Sequence, residues 1–256
     1  MKRRNDFRPS SRLTPFRWFV AAALAACVGA GASAADDAAI TAFSSAAPGE
    51  PPAPWKFATL PNKSPTRFVV ADLGGARVLK VEADNSYGNL VHAMRVAASE
   101  RTTLAWRWRV DKLIDEADLR VRAGEDSAAK LCVFFAFDAA KLPFGERTKL
   151  SMAQSVTGQD VPTQTLCYVW DNKLPPDTGL VSVFTKRVRF IVLESGAAHL
   201  GQWVAQKRNV SADYQRMFGD ESGGKSADIT GVAVSADADN THAKSLAYFG
   251  DITLVP

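Results

Sequence analysis

The chain has 256 residues, with 31 lysines and arginines against 27 aspartates and glutamates, and 46% of it is hydrophobic. Six of the basic residues and one of the acidic ones precede Ala35, which leaves 25 and 26 beyond it. The basic excess therefore belongs to the first segment, and the nearly neutral remainder carries no basic arm for nucleic acid.

That first segment carries Lys2, Arg3, Arg4, Arg8, Arg12 and Arg17, then an apolar run from Trp18 to Ala30, then the small-x-small signature Ala32-Ser33-Ala34. It reads as a secretory signal peptide over residues 1–34. Its apolar run falls short of the roughly twenty residues a span needs, and no later run is longer, so no transmembrane segment is expected. Leu24-Ala25-Ala26-Cys27 also fits a lipobox. A lipid anchor at Cys27 is the less favoured alternative, and the mature protein is expected to be periplasmic or secreted.

Residues 35–256 are expected to form a single β-sandwich domain, with 35–54 as an irregular lead-in holding a first edge strand at Ile40 to Phe43. Nine β-type runs follow: TRFVVAD, ARVLKVEA, NLVHAMRV, TTLAWRWRV, KLCVFFAFD, TLCYVWD, RVRFIVLES, ITGVAVSAD and LAYFGDITLV. Most are bounded by Gly, Pro, Asp or Asn. Alternation is cleanest at Thr103 to Val110, where Leu104, Trp106, Trp108 and Val110 share one face. Helical signal is confined to Glu146 to Ser155 and to Ala212 to Phe218, the latter capped by Ser211 and ended by Gly219. This pattern predicts a mainly β fold, an antiparallel β-sandwich of jelly-roll type with one or two short helices. Cys132 and Cys167 lie in apolar strand-like runs; a disulfide and a pair of buried thiols both remain open, the thiols favoured.

Gly219 to Ser226 reads GDESGGKS and satisfies the phosphate-loop pattern G-x-x-x-x-G-K-[ST]. A working phosphate loop joins a strand to the start of a helix, whereas here the helical stretch comes first and the strand second. No nucleotide is expected to bind.

The stretches WRW at Trp106 to Trp108, LCYVW ending at Trp170, RNVSADYQRMFGD from Arg208, VSADADNT through Thr241, and YFGDITL resemble those of bacterial exported proteins of domain of unknown function family 3047. The resemblance spans roughly Ile40 to Val255. Glu125-Asp126 and Lys130 look like that family's acidic pair and following basic residue, with Glu and Lys where Asp and Arg are more usual. It implies one domain and assigns no catalytic residue. YFGDITL is also similar to the last strand of jelly-roll sugar-binding modules, a likeness of fold only.

Candidate chemistry is sparse. Asp237-Ala238-Asp239-Asn240-Thr241 is the most acidic compact loop, read chiefly as a solvated turn. It lacks the glycine and distant Glu of a calcium loop, so no metal and no cofactor are expected. Trp108, Trp170, Trp203 and Tyr214 offer flat faces for a sugar ring. Trp106 and Trp108 are assigned to the core, and Trp170, at a strand end, is the best candidate for an exposed aromatic. Arg208, Asp213 and Asp126 form either a polar constellation around a ligand or, for Arg208 and Asp213, a structural salt bridge. The candidate ligand-binding set is thus Asp126, Trp170, Arg208, Asp213, Asp237, Asp239 and Asn240. The leading expectation is a noncatalytic module for an envelope or extracellular glycan. A glycan-active hydrolase or lyase on the same sandwich, and an envelope scaffold that binds another protein, are the alternatives.

Overall fold

A computed structural model describes residues 39–157 and 162–256. The expected signal peptide and Cys27 lie outside the described residues. Strands dominate: β1 (Lys56–Ala58), β2 (Ser64–Pro65), β3 (Arg67–Leu73), β4 (Ala76–Asp84), β5 (Ser86–Val96), β6 (Thr103–Lys112), β7 (Ser127–Phe135), β8 (Gln164–Asp171), β9 (Gly179–Val181), β10 (Val188–Ser195), β11 (Val204–Asn209), β12 (Ile229–Asp237), β13 (Lys244–Phe249) and β14 (Thr253–Val255). Two helices interrupt them, α1 (Phe144–Thr157) and α2 (Val210–Ser222).

The strands form two sheets. The larger runs β1-β5-β12-β7-β8-β10-β9 with β2 beside β5, and the smaller runs β11-β6-β13-β4-β3 with β14 beside β6. The chain passes between sheets at β2 to β3, β4 to β5, β5 to β6, β6 to β7, β10 to β11, β11 to β12 and β12 to β13. Such repeated crossing makes a sandwich of jelly-roll type. Pairing is antiparallel except for β8 with β10 and the short β2 with β5, which run parallel.

Side-chain alternation explains the packing. Leu104, Trp106, Trp108 and Val110 of β6 are buried between the sheets, while Arg107 on the opposite face is exposed. The indoles of Trp106 and Trp108 meet edge to face at 5.6 Å, and their neighbours across the interior are Tyr168 at 5.3 Å and Trp170 at 5.9 Å. Edge-to-face and tilted aromatic contacts of this kind add to the gain from removing the rings from water. Strand β8 is buried at every position. Its second face is covered too: Leu119 packs with Cys132, Cys167, Val169, Phe190, Val192 and Ala233, and Leu174 and Leu180 border them. A strand covered on both sides reads as an unbroken apolar run, as LCYVW does.

Several expectations change. Ile40 to Phe43 is not a strand; Phe43 is fully buried and stacks on Trp55 at 5.0 Å, so the run is a plug against the core. Cys132 and Cys167 face each other across β7 and β8 and form a disulfide, not two thiols. α2 begins two residues before the expected position: Asn209 is its N-cap, accepting from Ala212 N at 2.9 Å, while the Ser211 hydroxyl donates to Ser99 O. It also runs past Gly219 to end at Gly223, whose φ of 63° is the left-handed conformation that closes a helix without a Cβ clash. The GDESGGKS stretch is therefore the last turn of α2 and its exit, followed by β12. Carbonyl groups, not N–H groups, project from that end.

Candidate functional site

The carboxylates singled out from sequence collect where β7 begins and β12 ends. Asp126 immediately precedes β7, and Asp237 is the last residue of β12, opposite Ser127. Asp237 accepts from Ser127 N at 2.9 Å and from Lys130 Nζ at 2.6 Å. Asp126 accepts from the backbone and side chain of both Asn240 and Thr241, at 2.7 to 3.3 Å. Asp239 pairs with Lys63, which comes from the turn between β1 and β2. Glu125 accepts from the Ser182 hydroxyl and Val183 N, both at 2.6 Å. Adjacent acidic residues thus bind different loops, Glu125 the one after β9 and Asp126 the one after β12.

This region is not the solvated turn expected at Asp237 to Thr241. Asp237 and Asp239 are 4% and 9% exposed, because the strand carries Asp237 inward and the turn folds back onto Asp126. Burial pushes the Asp237 carboxyl up to about 6, against the pull of the Lys130 ammonium. Burial works to lower the Lys130 pKa, but the facing Asp237 carboxylate outweighs it and the ammonium is held above its ordinary value. Burial also raises the neighbouring Tyr87 phenol.

Arg208 and Asp213 form a separate group. Arg208 Nε and Nη2 donate to the two oxygens of Asp213 at 2.8 and 2.6 Å, and the Tyr168 hydroxyl donates to the same carboxylate at 2.9 Å. The fork ties the end of β11 to the first turn of α2, the structural alternative considered for this pair. Asp126 bonds to neither residue, so the expected three-member constellation does not assemble. Burial, then the Asp213 charge, raises the Tyr168 phenol well above its usual range.

Trp170 is a correction. It is 1% exposed, lies over Trp108, and donates its indole N–H to Gly196 O at 3.1 Å. A strand end at the sheet's edge would have exposed it; here β8 is central, and the segment after β10 closes over it. Tyr214 and Trp108 are fully buried as well. Trp203 alone among the described tryptophans stays outside the core, one residue before β11. The Arg107 guanidinium lies over its ring at 4.7 Å, on the outer face of the smaller sheet. The same face carries Arg109 near Tyr248, with Arg109 paired to Asp111. Arg107 also lines a shallow open groove with Ala105, Ala205, Asp251 and Thr253.

Sequence reasoning passed over two further groups. Lys63 showed no local pattern, because its partner is far away in the chain. Arg187 and Arg189 alternate in RVRF, a usable sign that both point to one side. They converge on Glu221 of α2, and Arg187 also meets Glu146 of α1 at 2.9 Å.

A family model covers residues 53–253, from the cis-proline turn ahead of β1 into β14. The chain belongs to the family Protein of unknown function (DUF3047). The Glu125-Asp126 and Lys130 stretch, the two tryptophans of β6 and the closing YFGDITL all lie within the matched part of this DUF3047 chain. Among solved structures, it is similar to the Endo-D glycoside hydrolase domain from Streptococcus pneumoniae R6, at 10% identity over 78% of this chain and 21% of that chain, TM-score 0.31. It is also similar to SGBP-B from a complex xyloglucan utilization locus in Bacteroides uniformis, at 12% identity over 78% and 47%, TM-score 0.33. A third similar structure is the family 12 xyloglucanase from Bacillus licheniformis, at 7% identity over 79% and 100%, TM-score 0.38. The DUF3047 chain spans less than half the length of the first two. No curated protein matches it.

Proposed function

We propose that this DUF3047 protein is an exported β-sandwich module, periplasmic or secreted, that binds an envelope or extracellular glycan without turning it over. The observation that carries the reading is Trp203, the described tryptophan that the core leaves out. A flat indole matches the C–H face of a pyranose ring, and planar charged groups beside it complete such a site by bonding hydroxyls. Arg107 and Asp251 supply a donor and an acceptor along the groove. The disulfide between Cys132 and Cys167 supports an oxidising compartment, in line with the leader. On this reading Asp126, Asp237, Asp239 and Asn240 hold the scaffold, and the ligand lies on the other sheet.

The test is a glycan array followed by calorimetry on the mature chain. Trp203→Ala should weaken binding by about tenfold or more with unchanged far-ultraviolet circular dichroism. Binding that survives Trp203→Ala at full strength would reject this face. Protein recovered from a native envelope should begin at Ala35 by intact mass, and a lipidated Cys27 terminus would reject that assignment.

One observation favours the hydrolase reading: Asp237, its carboxyl raised to about 6, lies close to Asp239, as an acid and its partner would. The ammonium on each of them counts against it. Sugar release abolished by Asp237→Asn, in a variant shown to be folded, would decide for the enzyme.

A further inference from the structure

Asp126, Asp237 and Asp239 each bring one carboxylate oxygen within 4.8 Å of the other two. Oxygens that both touch a calcium ion at roughly 2.3–2.6 Å are at most about 5 Å apart, so one ion reaches all three. Two ammonium groups face these three carboxylates: Lys130 on Asp237 and Lys63 on Asp239. One negative charge is left over in a place nearly closed to water. The Asp239 side chain is 7% exposed, and its Oδ1 has no hydrogen-bond partner among the described residues. A buried carboxylate oxygen without a donor is costly, and a cation there removes both that cost and the mutual repulsion.

We propose that this cluster is a site for a divalent cation that prefers oxygen ligands, calcium, held by Asp126, Asp237 and Asp239. The two lysines play different parts. The Lys130 side chain is 10% exposed and belongs to the framework of β7, whereas the Lys63 side chain is 40% exposed and rises from a turn. Lys63 is the group an incoming ion displaces, so calcium and the Lys63 ammonium compete for Asp239. The four donors of Asn240 and Thr241 orient Asp126, as outer partners orient metal-binding carboxylates. With the ion in place, the start of β7, the end of β12 and the turn after it are joined through one centre. The site is independent of the glycan face at Trp203.

The experiment uses the full mature chain, freed of metal with EDTA, titrated with calcium chloride in a calorimeter and melted with and without calcium. Saturable binding at one site is expected, with a Kd of about 0.1–1 mM, the range of extracellular calcium modules, and a higher melting temperature. Lys63→Ala, a substitution in an exposed turn, should tighten binding several-fold because it removes the competitor. Asp239→Asn should weaken it by about tenfold or more. The proposal is overturned if calcium produces neither heat nor a melting shift in the wild type and in Lys63→Ala, or if Asp239→Asn binds calcium as the wild type does.

Discussion

Two ion pairs in this protein have the same closest distance, 2.6 Å, and different surroundings. At Lys130–Asp237 both side chains are almost wholly buried, two further carboxylates stand beside the pair, and the Asp237 carboxyl is driven up to about 6. At Arg208–Asp213 the guanidinium is 27% exposed and forks onto both oxygens, the Tyr168 hydroxyl completes the shell, and no second carboxylate among the described residues bonds to the guanidinium. As sequence the two differ: Asp237 stands 107 residues from Lys130, whereas Asp213 stands 5 residues from Arg208. The second is balanced and serves as a tie between β11 and α2. The first stands in surplus negative charge, beside an Asp239 oxygen without a partner among the described residues, which is where a cation has something to gain.

The sharpest way to break this contrast is Asp237→Asn, which leaves the Lys130 ammonium buried without its partner. Denaturant unfolding should show a loss of about 3–5 kcal/mol, the scale for half of a buried pair. Arg208→Ala should cost less, about 2 kcal/mol, because water reaches that guanidinium and Tyr168 still donates to Asp213. Equal losses would erase the distinction.

A third pair sharpens it through pH. Hydrogen bonds from Arg120 hold the Asp118 carboxyl down at about 2 against burial, below the 3.8 of an unfolded chain. A depressed carboxyl contributes stability that is complete above about pH 4 and is lost as the pH falls through about 2. The melting difference between wild type and Asp118→Asn should be flat from pH 7 to about 4 and vanish near pH 2. A difference that grew on acidification would contradict the assignment. The smallest effect is expected at Lys225→Ala, within about 0.5 kcal/mol, since Lys225 follows the close of α2 in an exposed exit. Saturable ATP binding lost in that variant would restore the phosphate-loop reading.

What was legible in the amino-acid order is what depends on near neighbours. Each of the nine β-type runs became a strand, the last of them split by Gly250 into β13 and β14, because period-two alternation and flanking turn residues act within a few positions. The strands that went unread, β1, β2, β9 and β11, are short or mostly polar, and gain their order from partners elsewhere. Trp106 and Trp108 were assignable to the core from alternation, whereas Trp170 was not, because a strand end is buried or bare according to what distant chain folds over it. The acidity of Asp237 to Asn240 was plain, but its burial was not. That was decided when Asp126 and Lys130 at the start of β7, and Lys63 from the turn before β2, closed around the two carboxylates. Charge and periodicity are properties of the chain; desolvation and the choice of counter-ion are properties of the assembled sheets.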